Sequence, residues 1–201
     1  MLSFEHISQK FAHHHLFSDI RLQIPESRVL ITGPVGCGKT TLLLIAAGLI
    51  SPSSGKVTFR GQDVSQTSIK KQIGISASKV ALPETFNVVE FLNFHCEQFN
   101  SELDERWLEE FGLIPFLKTK VEHLSRGNYK KLSLLSAISQ KPELLLLDEP
   151  TNGLDKQARL ALEKLLADYP GQVIIASHDA LDNPNYFERQ IDLSCETTTK
   201  P

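Results

Sequence analysis

The sequence predicts an α/β protein: a mostly parallel core sheet, an antiparallel N-terminal β layer and a small helical subdomain. Three observations predict it. Apolar runs of strand length at 29–31, 144–147 and 173–176 lack the polar alternation of half-exposed strands, so they read as strands covered on both faces. Residues 3–9 and 20–24 do alternate apolar and polar side chains, the period of strands with one buried face. Residues 78–123 then change character, with Phe86, Phe91, Phe94, Phe99, Trp107, Phe111 and Phe116 on segments of helical periodicity.

In chain order, the two alternating strands bracket Phe11 and the run His13-His14-His15. Phe11 is either a packed edge aromatic or a ring that stacks on adenine, since every base offers a π-face. Three adjacent histidines in an extended segment cannot all face one metal, so the run reads as a solvated turn. The strand at 29–31 leads into Gly33-Pro34-Val35-Gly36-Cys37-Gly38-Lys39-Thr40-Thr41, and 42–49 is an apolar run of helical length. The spacing of Gly33, Gly38, Lys39 and Thr40 matches a Walker A loop in its strand–loop–helix context. Such a loop curls its N–H groups toward phosphate oxygens, and the helix behind it adds the positive end of its dipole. Lys39 supplies a charge for the β- and γ-phosphates, and the Thr40 hydroxyl is a ligand for Mg²⁺, which takes few protein ligands. Cys37 reads as a small residue at a tolerant loop position; a thiolate stabilised beside Lys39 and open to oxidation is the alternative.

Turn chemistry at 51–55 precedes an alternating strand at 56–60, and 72–76 reads as a buried strand. Ser101-Glu102-Leu103-Asp104 has the spacing of a capping box. Ser125-Arg126-Gly127-Asn128 opens a helix that passes Leu132, Leu135 and Ile138 and stops before Pro142. The strand at 144–147 ends in Asp148-Glu149, carboxylates at the edge where open α/β sheets bind ligands. Asp148 suits Mg²⁺ through its water shell, and Glu149 suits the orientation or deprotonation of an attacking water. An amphipathic helix is expected at 159–167, and the strand at 173–176 runs into Ser177-His178-Asp179, bringing a histidine to the same edge. The polar tail, 194–201, is expected to be disordered.

Length and composition narrow the classes. The 201 residues suffice for one α/β core with a satellite, the core being 1–77 with 124–193 and the subdomain 78–123. A formal charge of −3 argues against a surface that coats nucleic acid. No apolar run approaches the roughly 20 residues of a membrane helix, and the first residues lack the basic start and apolar core of a signal peptide, so direct membrane insertion is not expected. Three scattered cysteines, Cys37, Cys96 and Cys195, have neither metal-ligand spacing nor an even count, which suits a reducing compartment.

Together the pieces resemble the ATP-binding subunit of an ABC transporter over residues 2 to 193, in the family's order and spacing. Walker A is 33–41, the signature is Leu124-Ser125-Arg126-Gly127-Asn128, Walker B is 144–148, and the D-loop is Gly153-Leu154-Asp155. Glu149 is the matching catalytic carboxylate and His178 the switch histidine. The resemblance implies a P-loop NTPase of ABC type that uses ATP and Mg²⁺. It implies a composite site, in which Ser125 and the Gly127 N–H of a second ATPase subunit, an identical copy in a homodimer, donate to the γ-phosphate, with Asp155 at the same interface. It further implies an integral membrane permease as partner, no nucleic acid, and a place on the cytoplasmic face of the membrane. A more distant similarity to small exporter subunits, such as the haem-exporter ATPases of cytochrome c maturation, suggests export. Three positions depart from the pattern. Ser78 stands where a glutamine that senses Mg²⁺ and water is usual, so its shorter hydroxyl reaches them through water. Arg126 replaces a small residue and Asn128 a glutamine. These departures keep open a subunit that hydrolyses ATP weakly; a soluble ABC ATPase acting on DNA or ribosomes is the other alternative.

Overall fold

The computed structural model describes residues 1–11, 14–102, 104–178 and 184–196. The apolar runs lie side by side in a parallel sheet made of β3 (Arg28–Thr32), β6 (Ile73–Ser76), β7 (Leu144–Asp148), β8 (Gln172–Ala176) and β9 (Arg189–Asp192), in the order β6-β7-β8-β3-β9. A second, antiparallel sheet has the order β2-β1-β4-β5, from β1 (Leu2–Phe11), β2 (His14–Ile24), β4 (Ser54–Phe59) and β5 (Gln62–Asp63).

Strand alternation assigns each leucine of β7 to a layer. Leu144 and Leu146 point into a core shared with helix α1 (Lys39–Ala46) and the antiparallel sheet, joined by Leu2, Phe4, Ile24, Val57 and Phe59. Leu145 and Leu147 point the other way, into a core shared with α5 (Arg126–Ser139), α6 (Lys156–Ala167) and the helical subdomain. All four are fully buried, each worth roughly 1.5–3 kcal/mol over an exposed position. This two-sided burial is why β7 is apolar without interruption until Asp148.

The subdomain holds α3 (Val88–Phe99) and α4 (Glu105–Glu110), after the single turn α2 (Thr67–Lys70). Phe91 and Phe111 are core residues, Phe86, Trp107 and Phe116 pack against them, and Phe94 is 44% exposed, stacked on Phe86 with ring centroids 5.5 Å apart. The capping box lies elsewhere than expected. Asn87 and Glu90 make it at the start of α3, each side chain meeting the other's backbone N–H at 2.9 Å. At 101–104 Asp104 is itself the N-cap of α4, accepting from Arg106 N, while Ser101 bonds back to the Cys96 carbonyl at the end of α3. The acid three residues after Ser101 is thus a cap and not its reciprocal partner.

Strand β9 and the short helix α7 (Leu193–Glu196) were not foreseen from the sequence. β9 pairs in parallel with β3, and Ile191 and Leu193 are buried, so ordered structure continues through 194–196, where a disordered tail was expected. Residues 197–201 lie outside the described residues, as do His13 and Asp179, while His15 is exposed on β2.

Candidate functional site

The carboxyl ends of β3, β7 and β8 deliver their loops to one cavity of about 970 Å³. It is lined by Val35, Gly36, Gly38, Lys39, Thr40 and Thr41 from the glycine-rich loop, and by Asp148, Glu149 and His178. Gly38 is the N-cap of α1 at φ 103°, and a Cβ there would lie 2.9 Å from side-chain atoms of Leu16 and Phe17, so glycine is required by both backbone and space. The first turn of α1 carries no acid to offset the positive end of its dipole.

Lys39 is buried, and its ammonium donates to the Gly33 carbonyl at 2.7 Å, the Pro34 carbonyl at 3.2 Å and His178 Nε2 at 3.2 Å. An ammonium can only donate, so this contact assigns the histidine proton to Nδ1. Thr40 Oγ1 donates to Asp148 Oδ2 at 2.8 Å, bringing the two expected metal-side oxygens together.

Glu149 stands just beyond the end of β7 in the left-handed region, at φ 44°. Its carboxylate accepts from Ser177 Oγ at 2.8 Å and from the His178 N–H at 3.2 Å, and His178 Nε2 lies 3.6 Å away, too far for a hydrogen bond. The whole cluster therefore holds its acid, its lysine and its histidine within a few ångströms.

Phe11, 49% exposed, and Ser78, exposed, both line the cavity. Ser125, Gly127 and Asp155 are not among its lining residues. Ser125 caps α5, its Oγ accepting from Asn128 N at 3.2 Å, which leaves its own proton to donate. A Cβ on Gly127 would come 2.8 Å from the Gly153 carbonyl. Asp155 is committed on both oxygens, to Ala158 N as cap of α6 at 2.9 Å and to Lys131 Nζ at 2.6 Å. The Lys131 hydrogen bond holds the Asp155 carboxyl below the usual carboxylate range. Cys37 is half-buried and free; its Sγ lies where a Cβ on Gly33 would come within 2.8 Å.

Two contributors went unassigned at the sequence level. Ser177 is buried against Glu149. Lys130 reaches the cavity from α5 and donates to the Asp148 carbonyl at 2.7 Å; burial pulls its ammonium down to about 8, with Asp148 and Glu149 pulling it back up. Its signal was the helical period, since Lys130 precedes the buried Leu134 and Ala137 by one and two turns.

Known proteins are similar to this chain in sequence and in fold. The chain is 33% identical over 162 residues to an uncharacterised ABC transporter ATP-binding protein, YhaQ, of Bacillus subtilis, covering 77% of this chain and 54% of that one. It is 30% identical over 181 residues to the Fe(3+) ions import ATP-binding protein FbpC 1 of Pectobacterium atrosepticum, covering 86% and 51%. The chain thus spans about half the length of these relatives. Among solved structures, the dimeric MJ0796, a bacterial ABC transporter cassette, superposes with a TM-score of 0.78 at 22% identity, covering 96% of this chain and 95% of that one. The family model described as ABC transporter matches residues 17–152, two thirds of the chain and all of the site from the glycine-rich loop to Glu149, and the chain belongs to that family.

Proposed function

We propose that the chain binds and hydrolyses ATP as one half of a composite site and passes the resulting closure to a membrane-embedded permease. The observation that carries this reading is the convergence of Lys39, Thr40, Asp148, Glu149 and His178 on one cavity at the carboxyl edge of the sheet. Lys39 and the N–H groups of the loop hold the phosphates. Glu149, braced by Ser177 and the His178 N–H, orients the attacking water and accepts its proton, and His178 keeps Lys39 directed at the γ-phosphate.

Thr40 Oγ1 and Asp148 Oδ2, hard oxygen donors 2.8 Å apart, fit Mg²⁺. No group of three or more His, Cys, Asp or Glu side chains suited to a metal occurs among the described residues, and Mg²⁺ on ATP needs no such cage. When bound it supplies charge neutralisation at the β- and γ-phosphates. Ser78, on the same wall, would reach that region through water.

The second half of the site would come from another copy. Ser125 and Arg126 are exposed at the start of the 14-residue α5, where N–H groups and dipole favour an anion. The solved relative described as dimeric supports the same reading. No helix among the described residues is long and apolar enough to cross a membrane. The membership of the ABC transporter family is what supports a permease partner, with this chain on the cytoplasmic face. Export loses its preference: one relative is named for Fe(3+) import, and direction belongs to the permease. The placement of both Glu149 and His178 favours full over weak hydrolysis.

Steady-state phosphate release with MgATP tests the chemistry. We expect Glu149→Gln to lower kcat by about 100-fold or more while a fluorescent ATP analogue still binds, and Lys39→Ala to abolish that binding. Undiminished turnover in Glu149→Gln would remove the assigned role.

A further inference from the structure

The peptide unit between Asp148 and Glu149 sets the direction of both carboxylates, one on the metal side of the cavity and one on the water side. That unit is held at both ends. Its N–H donates to the Ala176 carbonyl of β8 at 2.7 Å, and its C=O accepts from Lys130 Nζ of α5 at 2.7 Å. Glu149 lies in the left-handed region at φ 44°, a conformation that a residue with a side chain keeps only when its surroundings fix it. The Ala176 contact is ordinary sheet extension. The Lys130 contact is not, because a half-buried ammonium has been brought from a different layer of the fold to a single carbonyl.

The neighbours of Lys130 show what else moves with it. Tyr129 OH accepts from Leu82 N at 2.7 Å, and Lys131 Nζ donates to Asp155 at 2.6 Å. Three consecutive residues of α5 therefore grip the entry to the helical subdomain, the end of β7 and the start of α6. Lys130 is thus the contact through which a shift of α5 against the sheet would reach the Asp148–Glu149 peptide.

We propose that Lys130 is a positioning residue for hydrolysis: it clamps the Asp148–Glu149 peptide plane and couples the orientation of the water-directing carboxylate to the seating of helix α5. The proposal rests on the ATPase reading of the site. Its physical core, the clamp, is open to measurement without turnover.

The test compares Lys130→Met, which keeps the apolar stem and removes the donor, with Lys130→Arg, which restores a cation able to reach the carbonyl. In the Met variant we expect kcat to fall by about tenfold or more with KM for ATP changed less than about threefold, and kcat to recover in the Arg variant to within about threefold of wild type. A role confined to stability would instead lower the unfolding midpoint without this split and without rescue by Arg. Amide hydrogen exchange of the peptide spanning 147–153 gives the second readout, with faster exchange at the Glu149 N–H expected in Lys130→Met alone. Wild-type exchange at Glu149 in the Met variant, or wild-type kcat, would overturn the proposal. A wild-type protein that hydrolysed no ATP would overturn the ATPase reading instead, and the exchange rates would still decide whether Lys130 is the clamp.

Discussion

At the scale of single residues, the convergence of Lys39, Thr40, Asp148, Glu149 and His178 on one cavity was legible because these side chains leave few alternatives. Lysine and threonine after a glycine-rich turn, paired acids closing an apolar strand, and a histidine at the next strand end each mark a place at the carboxyl edge of the sheet. Backbone conformation was not legible: nothing in Asp148-Glu149 announces a positive φ at Glu149, which depends on contacts from β8 and α5. His95 was also silent in the sequence, one more polar residue in an aromatic segment. It is largely buried between Phe91 and Phe99, with ring centroids at 5.8 and 4.8 Å, and its Nε2 is buried with no hydrogen-bond partner among the described residues. Burial lowers its pKa below the ordinary value of 6.5, opposed by a backbone hydrogen bond with Ser136. The unfolded chain therefore takes up a proton before the folded one does. Stability from this site is complete above about pH 6.5 and is lost as pH falls through the lowered value. Denaturant midpoints from pH 7.5 to 5 should fall more steeply for wild type than for His95→Phe, and parallel slopes would show that His95 does not carry the effect.

At the scale of elements, capping and periodicity predicted α5 closely, and the structure starts it at the expected Ser125. Sequence spacing failed at 101–104 because an acid three residues after a serine fits a capping box and a simple N-cap equally well. Only the placement of α4 separates the two. Strand β9 was missed for a related reason. Arg189-Gln190-Ile191-Asp192 carries one apolar side chain, and an edge strand of a parallel sheet needs no more. Ser125 joins a structural to a functional duty, and the two are separable. Ser125→Ala should cost about 1 kcal/mol through the lost cap, whereas Ser125→Asp should keep the cap and repel phosphate. We expect denaturation midpoints near wild type for Asp and lowered for Ala, with ATP-dependent self-association lost in the Asp variant; association at the wild-type level in that variant would take Ser125 out of the phosphate contact.

At the scale of the molecule, two cores lie on opposite faces of the parallel sheet, and β7 contributes to both. One core fixes the glycine-rich loop between two sheets, and the other ties β7 to α5, α6 and the subdomain. Of the two phenylalanines on α3 that could meet a permease, Phe94 is 44% exposed, whereas Phe91 is 5% exposed in the core. Phe94→Glu should release the protein from membranes while leaving ATP binding intact, as judged by fractionation and nucleotide titration. Phe91→Glu should unfold the subdomain. Retention of Phe94→Glu on membranes would move the docking surface elsewhere.

In the proposed function each chain holds half of a nucleotide site. The decisive measurement is the solution mass of Glu149→Gln by light scattering, with and without ATP. Addition of ATP should convert a 22.5 kDa species into one of about twice that mass, and the Ser125→Asp change in the same background should prevent it. A mass that stays at 22.5 kDa with ATP bound would contradict the composite site between identical copies.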